Sequence, residues 1–312
     1  MGLSFWFPVQ QEVISRILSN DYSFIDLVVI SPTGSGKTIS YAIPIISRIW
    51  SRIVPRTRAL VVVPTRELAL QVYSVFVELI KGCDLKAFVL ISGGKNSFKD
   101  EQRMLVSDEL FSYDILIATP ERLVDHLRDT PGFSISKLEF LVIDEVDRLL
   151  ENYQYQNWLS QVYRYITEID LIPNEIDDPS IFKIQLRKLF FSATLTKNPR
   201  KLSQMALNDP LILCMYSGGK GKSVDPLGEE FFVVARIELK PIYLLSIIER
   251  HMEKSFLVFV GSSESAEKLC MLLSLLLKEQ NIMDMMVDFV SSEKGYKEKK
   301  KSLLKFNRRE TR

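Results

Sequence analysis

The chain has 312 residues, 46% of them hydrophobic and 25% charged, with a formal net charge of +1 at pH 7, three cysteines and two histidines. This is the composition of a globular protein large enough for two domains, and the near-zero charge means that any binding of nucleic acid has to depend on local groups. The scattered cysteines and histidines argue against a disulfide framework or a zinc site and predict a reducing compartment, and the lack of any apolar run of about 18 residues predicts no membrane span.

Short apolar runs rich in Val, Ile, Leu and Phe recur between residues 26 and 215, with segments of helical periodicity between them. The runs lie at residues 26–30, 59–63, 87–91, 115–118, 140–143, 189–192 and 211–215. This alternation predicts an α/β fold in which a parallel sheet is flanked by helices on both faces. Such sheets bind ligands at the turns that follow the carboxyl ends of their strands, so the residues after each run are the candidates for function.

A glycine-rich loop with the sequence SPTGSGKT, residues 31–38, follows the first run. The backbone N–H groups of residues 34–36 can hold phosphate oxygens, Lys37 can reach the β and γ phosphates, and the Thr38 hydroxyl can bind a metal ion. Ser31 stands where this pattern usually has glycine. Clusters of Gly, Ser and Thr also form ordinary loops, so the loop alone leaves coincidence open.

Acidic residues follow the fifth run in the sequence DEVD. Asp144 is placed to hold Mg²⁺ directly or through water, and Glu145 to orient and deprotonate an attacking water. Asp147 and the hydroxyls of Ser192 and Thr194, which follow the sixth run, are placed to hydrogen-bond one another. Carboxylates also end many buried strands for solubility, but beside a phosphate loop the acids predict a nucleoside triphosphate site.

The alternation breaks between residues 216 and 230 into a glycine-rich stretch without apolar periodicity. We therefore predict a first domain over residues 1–217, a linker over 218–229 and a second domain over 230–312. In the second domain, strands are predicted over 231–235, 256–260 and 285–290, and a helix over 264–277. These elements are few for a self-sufficient α/β domain, so the second domain is predicted to be incomplete.

Further motifs, each directly after an apolar run, accompany the phosphate loop and the DEVD sequence in a fixed order. They are PTRELA at residues 64–69, Gly93 with Gly94, TPERL at 119–123 and SAT at 192–194. With these motifs the chain resembles the DEAD-box RNA helicases over nearly all of residues 5–312, with Val146 in place of the usual alanine. The resemblance implies a RecA-like first domain and an incomplete second RecA-like domain, in which FLVFVGS at 256–262 matches motif IV.

The resemblance also implies the roles of individual residues, with ATP and Mg²⁺ as cofactors and single-stranded or structured RNA as partner. It implies catalytic roles for Lys37, Asp144, Glu145, Ser192 and Thr194, and metal binding by Thr38 and Asp144. It implies nucleotide binding by Gln10, Ser31, Thr33, Gly34, Ser35, Gly36, Lys37, Thr38 and Asp147. It implies RNA binding by Pro64, Thr65, Arg66, Gly93, Gly94, Thr119, Pro120, Arg122 and Ser262.

Several of these roles have alternatives. The alternative for Arg66 is a purely local role, in which it caps its helix or pairs with Glu67. Independently, the alternative for Gly93 and Gly94 is that they form only a turn. Glu121 stands where the family usually has glycine, and its side chain adds negative charge beside the expected phosphate path. The near-zero net charge is no objection to RNA, because a single strand can be held by N–H groups, hydroxyls and a few arginines.

Gln10 occupies the position of the family's adenine-reading glutamine, and its amide can both donate and accept hydrogen bonds. The aromatic residue that the family stacks on adenine would lie upstream of this sequence. Phe5, Trp6 and Phe7 are interpreted as core or staple residues rather than as its replacement.

The sequence FPVQ at residues 7–10, the DEVD box and a lengthened segment before Ser192 are most similar to the nucleolar subgroup that assembles the large ribosomal subunit. This implies a role in ribosome biogenesis and rRNA processing, with pre-ribosomal RNA and ribosome-assembly proteins as partners and the nucleolus as location. No membrane and no zinc are expected. A DNA-directed or RNA-independent ATPase is a weaker hypothesis, because the motifs at 64–69, 93–94 and 119–123 are not needed for nucleotide alone.

The sequence up to Arg312 contains no counterpart of the family's motif V or of its arginine-bearing motif VI. We therefore expect an RNA-stimulated ATPase impaired in turnover, and the alternative is a catalytically silent scaffold that binds nucleotide and RNA. Residues 291–312 contain nine Lys or Arg and three Glu, a net charge of +6. This segment either contacts nucleic acid or presents a solvated helix face.

Overall fold

The computed structural model divides into two compact units, Met1–Ser223 and Val224–Arg312. It describes residues 5–19, 25–51, 56–94, 96–106, 113–151, 157–167, 186–194, 205–215, 236–279, 286–291 and 293–308. The predicted linker at 218–229, the predicted strand at 231–235 and the middle of the lengthened segment, at 168–185, lie outside the described residues.

The described part of the first unit contains a sheet of seven strands, and every strand pair in it is parallel. The strands are β1 (Leu27–Ile30), β2 (Ala59–Val62), β3 (Ala87–Leu90), β4 (Ile115–Ala118), β5 (Phe140–Ile143), β6 (Arg187–Ser192) and β7 (Leu211–Cys214). Their order across the sheet is β3-β4-β2-β5-β6-β1-β7. Each strand overlaps an apolar run of the sequence, so the predicted parallel α/β sheet is confirmed.

Helices cover both faces of this sheet. In the first unit they are α1 (Pro8–Leu18), α2 (Lys37–Arg48), α3 (Arg66–Leu79), α4 (Phe98–Val106), α5 (Pro120–Asp129), α6 (Val146–Glu151) and α7 (Trp158–Thr167). Side chains alternate along each strand: Val61 packs in a core with α1, α2 and α3, whereas Leu60 and Val62 pack in a second core with α5, α6 and α7. Burial on both faces is the reason that the strands read as continuous apolar runs.

Two arginines fix the carboxyl end of α1. Nη2 of Arg48 donates to the carbonyl oxygen of Leu18 at 2.8 Å, and Nη1 of Arg187 donates to that of Ile17 at 3.2 Å. The last carbonyl groups of a helix lack partners within the helix and carry negative partial charge, so cations stabilise this end. Because α1 packs against α2, this anchoring holds the amino end of α1 beside the loop that precedes α2.

The described part of the second unit contains α8 (Lys240–Arg250), α9 (Ser263–Glu279) and α10 (Tyr296–Asn307), and α9 contains the predicted helix. The strands predicted at 256–260 and 285–290 were wrong for the residues described, because 256–260 and 286–290 have no strand assignment. A parallel strand needs hydrogen-bonding neighbours, and no sheet is present among the described residues of this unit. Leu257 and Phe259 are accordingly 69% and 87% exposed.

Across the described ranges, no helix combines the length and the apolar character needed to cross a membrane.

Candidate nucleotide and RNA sites

The phosphate loop joins the buried carboxyl end of β1 to the first turn of α2, and both of its glycines have left-handed backbone conformations. The φ angles are +78° at Gly34 and +85° at Gly36. A Cβ atom at Gly34 would meet nothing within 4 Å, whereas one at Gly36 would lie 2.3 Å from Nε2 of Gln10. Glycine is therefore required at position 36 for both conformation and space, and the loop is open at position 34.

Two polar contacts close this loop on itself. Nζ of Lys37 donates to the carbonyl oxygen of Ser31 at 2.9 Å, and the Ser31 hydroxyl donates to that of Ser35 at 2.6 Å. Ser31, the departure from the usual glycine, thus has a structural role within the loop. The Lys37 ammonium is held above the loop by neutral acceptors that an anionic phosphate can replace, because charge-assisted hydrogen bonds are the stronger ones. Thr33 is exposed on the same loop.

Gln10 is buried and connects α1 to the phosphate loop. Its side-chain oxygen accepts a hydrogen bond from the backbone N–H of Phe7 at 2.9 Å, and its Nε2 donates to the carbonyl oxygen of Gly36 at 3.4 Å. The amide predicted to read adenine therefore also fixes the backbone at the start of α2.

The aromatic residues before α1 do not belong to the core. Phe5, Trp6 and Phe7 are 68%, 44% and 42% exposed, so their interpretation as core residues is wrong, and the interpretation as staple residues stays a prediction. They precede the first residue of α1, Pro8, and therefore do not share the inward face of that helix. The rings of Phe5 and Phe7 instead contact each other edge to face, with centroids 5.7 Å apart.

Asp144 lies at the carboxyl end of β5 and is buried, with 3% of its surface exposed. Its Oδ2 accepts a hydrogen bond from the Tyr41 hydroxyl at 3.1 Å, and its Oδ1 accepts one from the backbone N–H of Glu145 at 2.9 Å. Burial raises the pKa of Asp144 to about 6, although the positive charge of Lys37 acts in the opposite direction. A bound cation would counter the cost of burying this carboxylate.

Tyr41 is a site residue that the sequence did not reveal. Its side chain is fully buried, and burial together with the charge of Asp144 raises its pKa well above the usual value. The hydroxyl therefore stays protonated and donates to Asp144. It holds one of the two predicted metal ligands, and its only sequence signal is a position one helical turn after the other, Thr38.

Glu145 has a left-handed backbone, with φ of +53°, which is uncommon for residues other than glycine and costs conformational energy. Its carboxylate forms an ion pair with Arg148, one turn into α6, at 3.3 Å. Strain of this kind concentrates at functional sites, where the surrounding structure holds the residue in place. The Glu145 carboxylate is partly exposed, whereas the neighbouring Asp144 is buried.

The end of β6 is joined to α6 by a direct hydrogen bond. The Thr194 hydroxyl donates to Oδ2 of Asp147 at 3.0 Å, as the sequence led us to expect. The Ser192 hydroxyl does not reach Asp147 in this arrangement and instead donates to the carbonyl oxygen of Thr194 at 2.6 Å. Thr194 thus connects the residues after β6 to α6.

Residues predicted to bind RNA follow β2, β3 and β4. Pro64 is buried, and Thr65 caps α3 by accepting a hydrogen bond from the backbone N–H of Leu68 at 3.3 Å. Thr65, rather than Arg66, therefore provides the helix cap. Nη1 of Arg66 reaches across to the carbonyl oxygen of Ser92 at 3.4 Å, immediately before the predicted RNA-binding glycine pair.

The glycine pair forms a turn that the Arg66 guanidinium approaches closely. Gly93 has φ of +66°, and a Cβ atom added there would lie 3.0 Å from Nη1 of Arg66. Gly94 follows it in the same turn. The absence of a side chain at position 93 thus allows the Arg66 guanidinium to approach the backbone of the turn.

The turn after β4 leads directly into α5. Pro120 occupies the first turn of this helix, where its missing N–H costs nothing, and the Thr119 hydroxyl makes no capping hydrogen bond. The Glu121 side chain is exposed next to them, so the negative charge that weakens the case for RNA binding lies at the surface.

Arg122 is held by a buried group that sequence reasoning missed. Its Nε donates to Oε2 of Glu101 at 2.7 Å, and its guanidinium lies 4.6 Å from the ring centre of Phe98. Nε2 of His126 lies 2.9 Å from the same Glu101 oxygen. Glu101 and Phe98 come from α4, so no pattern local to the TPERL motif could have identified them.

We expect Glu101→Ala to lower the free energy of unfolding by roughly 2–4 kcal/mol, because it leaves a partly buried guanidinium and a buried imidazole without their shared acceptor. Urea denaturation measures this loss. Arg103→Ala on the same helix is the control, since that side chain is 82% exposed. Equal stability of the two variants would contradict the structural role of Glu101.

Ser262 belongs to the second unit and caps α9. Its hydroxyl oxygen accepts a hydrogen bond from the backbone N–H of Ser265 at 3.1 Å, and its carbonyl oxygen accepts one from that of Ala266 at 3.0 Å. The predicted RNA-binding serine thus has a defined local role as a helix cap.

In the first unit, the two sets of predicted residues occupy different halves of one sheet edge. Because all strands are parallel, their carboxyl ends lie at the same edge. The candidates for nucleotide binding and catalysis in the loops follow β1, β5 and β6, and those for RNA follow β2, β3 and β4. In the order β3-β4-β2-β5-β6-β1-β7, these are two contiguous groups of three strands.

The residues of the first group fit a nucleotide with a divalent cation. Gly34 is exposed with open space beside it, Lys37 supplies a positive charge, and Asp144 is a buried carboxylate with a raised pKa. Oxygen donors of this type are those that Mg²⁺ prefers.

Comparison with known proteins shows to which family the chain belongs. A model of the DEAD/DEAH box helicase family matches residues 7–202, which is more than half of the chain. The chain belongs to the DEAD/DEAH box helicases. Within this family it is 37% identical to ATP-dependent RNA helicase DDX51 of Danio rerio, in an alignment that covers 88% of this chain and 47% of that protein.

Two further proteins show the extent of the similarity between this DEAD/DEAH box helicase and its relatives. ATP-dependent RNA helicase dbp6 of Schizosaccharomyces pombe is 35% identical, with 88% of this chain and 51% of that protein covered. The chain thus spans about half the length of these curated relatives. The solved structure of Mss116p bound to ssRNA and AMP-PNP superposes on this chain with a TM-score of 0.71 at 23% identity. The match covers 97% of this chain and 58% of the Mss116p chain, and it shows a shared fold.

Proposed function

We propose that this chain is part of an ATP-dependent RNA helicase, that is, an ATPase stimulated by RNA. The observation that carries the proposal is the juxtaposition, on one sheet edge, of the phosphate loop with buried Asp144 and of the turn at Gly93 with Arg66. Family membership supports the use of ATP, and the relatives with the names DDX51 and dbp6 are ATP-dependent RNA helicases.

The nucleotide half of the site divides its tasks among a few groups. Backbone N–H groups of residues 34–36 and the Lys37 ammonium would bind phosphate oxygens, and Thr38 and Asp144 would hold Mg²⁺. Mg²⁺, when bound, neutralises charge on the phosphate oxygens. Glu145 would orient the attacking water and accept its proton, because its carboxylate is more exposed than that of Asp144.

The RNA half would hold the backbone of the strand rather than read its bases. The turn at Gly93 and Gly94, the Arg66 guanidinium and the Thr119 hydroxyl provide donors of the kind that bind phosphate and 2′-OH groups. Within the nucleotide half, the hydrogen bond between Thr194 and Asp147 would couple the residues after β6 to those after β5.

The cellular role we propose is ribosome biogenesis, with pre-ribosomal RNA as substrate and ribosome-assembly proteins as partners in the nucleolus. The FPVQ and DEVD sequences and the identity to DDX51 and dbp6 support it. Crosslinking of the protein to RNA in cells would test it: enrichment of pre-ribosomal RNA is expected, and enrichment of messenger RNA alone would contradict it.

A second candidate function is binding of nucleotide and RNA without turnover. Hydrolysis of ATP with and without single-stranded RNA separates the two functions. A rate that RNA raises well above that of Glu145→Gln supports the helicase, and a rate equal to that of this variant supports the silent scaffold.

A further inference from the structure

The carboxylate of Asp144 is held by one donor on each of its oxygens. Oδ1 accepts a hydrogen bond from the backbone N–H of Glu145 at 2.9 Å, and Oδ2 accepts one from the Tyr41 hydroxyl at 3.1 Å. The first donor belongs to the neighbouring residue and moves with Asp144, whereas the second comes from α2, 103 positions away. Tyr41 is therefore the contact that ties the orientation of this carboxylate to α2.

The ring of Tyr41 is fixed in the core of the first unit. It has no exposed surface, and its centroid lies 5.0 Å from that of Phe191 on β6 and 6.3 Å from that of Phe76 on α3. Side chains in close-packed cores keep well-defined rotamers on the time average. The hydroxyl consequently occupies a defined position, at the end of a rigid ring, beside the residue that follows β5.

Helix α2 also carries the other residue predicted to bind the metal ion. Thr38 precedes Tyr41 by three positions, and residues three apart lie on the same face of a helix. The hydrogen bond from Tyr41 thus ties Asp144 to the face of α2 on which Thr38 lies. One helix therefore supplies one predicted ligand directly and orients the second through a buried hydroxyl.

We propose that Tyr41 is a positioning residue for Mg²⁺. Its hydroxyl holds Asp144 in the orientation that binds the cation together with Thr38, and it thereby sets the Mg²⁺ affinity of the nucleotide site. The inference rests on the proposed function, because it takes the phosphate loop as a nucleotide site. Hydrogen-bond partners of ligating carboxylates act in this way, and their loss typically lowers metal affinity by about 10- to 100-fold.

The hydroxyl and a cation do not have to compete for the same position on Asp144. An ionised carboxylate offers about four acceptor sites, and the two hydrogen bonds use two of them. An orientation that is fixed before binding also spares the site the entropy cost of ordering a ligand. Loss of the hydroxyl should therefore weaken Mg²⁺ binding, whereas competition would make the same loss strengthen it.

The variant Tyr41→Phe tests the inference, because it removes one oxygen atom and keeps the buried ring. Binding of a fluorescent ADP analogue is measured at increasing Mg²⁺ concentration and, separately, in EDTA. We expect the Mg²⁺ concentration for half-maximal binding to rise about tenfold. Affinity in EDTA should equal that of the wild type, because the phosphate contacts are unchanged. Electron paramagnetic resonance of free Mn²⁺, used in place of Mg²⁺, measures the same shift independently of the nucleotide fluorescence.

Tyr163→Phe is the matched control, because it removes another hydroxyl that donates to a protein acceptor, the carbonyl oxygen of Met205, at 2.7 Å. The Tyr163 ring lies 5.6 Å from the ammonium of Lys188, near the amino end of β6 and thus at the opposite edge of the sheet. Its Mg²⁺ dependence should equal that of the wild type, whatever its loss of thermal stability. An equal shift in both variants would overturn the inference, since the shift would then follow from stability alone.

A double variant shows whether Tyr41 acts through Asp144. When Tyr41→Phe is added to Asp144→Asn, the Mg²⁺ dependence should not change further, because the group that the hydroxyl orients is already altered. A further tenfold shift in the double variant would show that Tyr41 acts by another route, and the inference would be wrong.

The remaining outcomes separate the inference from the proposed function. Wild-type or stronger Mg²⁺ affinity in Tyr41→Phe overturns the inference and leaves the proposed function intact. Nucleotide binding by the wild type that does not depend on Mg²⁺ has the same consequence. Failure of the wild-type protein to bind the nucleotide overturns the proposed function and the inference with it.

Discussion

Lys37→Ala is expected to weaken binding of Mg²⁺ and adenine nucleotide by roughly 30- to 1,000-fold. The substitution removes the cation of the phosphate loop, and losing one partner of a desolvated charged hydrogen bond costs about 2–4 kcal/mol. The ammonium now donates to the carbonyl oxygen of Ser31, a contact that phosphate oxygens would replace. Titration with a fluorescent adenine nucleotide measures the change.

The control for this variant is Lys81→Ala, at a lysine whose side chain is 66% exposed and lies far along the chain from the loop. It should bind nucleotide as the wild type does. If Lys37→Ala also binds with wild-type affinity, the phosphate loop does not hold the nucleotide and the proposed site is wrong.

Glu145→Gln should reduce ATP hydrolysis by about 10²- to 10⁴-fold while changing nucleotide affinity by no more than about threefold. The substitution keeps the size and the left-handed backbone position of the residue but removes the group that accepts the proton. Metal and phosphate contacts are assigned to other residues and remain. Steady-state hydrolysis and equilibrium binding, measured on the same preparation, separate these effects.

The matched control is Glu139→Gln, at the amino end of the same strand, β5, where the carboxylate pairs with Arg56 at 3.5 Å. This position lies at the opposite edge of the sheet, so hydrolysis should be unchanged. A comparable loss of hydrolysis in both variants would show that the effect comes from the stability of β5 and not from catalysis.

The sheet and the loops of the candidate site could be predicted because their signals are local. Buried parallel strands appear as apolar runs, and the phosphate loop and DEVD sequence each lie within a few consecutive residues. Two interpretations failed where the signal was apolar character alone. The aromatic residues before α1 are exposed, and the run at 256–260 has no strand assignment and no strand beside it among the described residues of its unit.

The supporting contacts of the site could not be predicted, because they join residues that are distant in the sequence. The hydrogen bond between Tyr41 and Asp144 spans 103 positions, and the buried contact of Arg122 depends on Glu101 in another helix. Such pairs are set by how helices pack on the sheet, and a single sequence carries no record of that packing. The structure therefore adds positioning residues to a list of candidates that motifs could supply.

We infer that nucleotide and RNA occupy different halves of one sheet edge. Photo-crosslinking with an azido-adenine nucleotide and a thiouridine-containing single-stranded RNA, followed by mass spectrometry, measures where each ligand binds. We predict nucleotide crosslinks at residues 5–10 and 31–38, and RNA crosslinks that include Arg66, Gly93 or Gly94 and residues 119–122. RNA crosslinks confined to residues after 291, or shared with residues 31–38, would contradict the account.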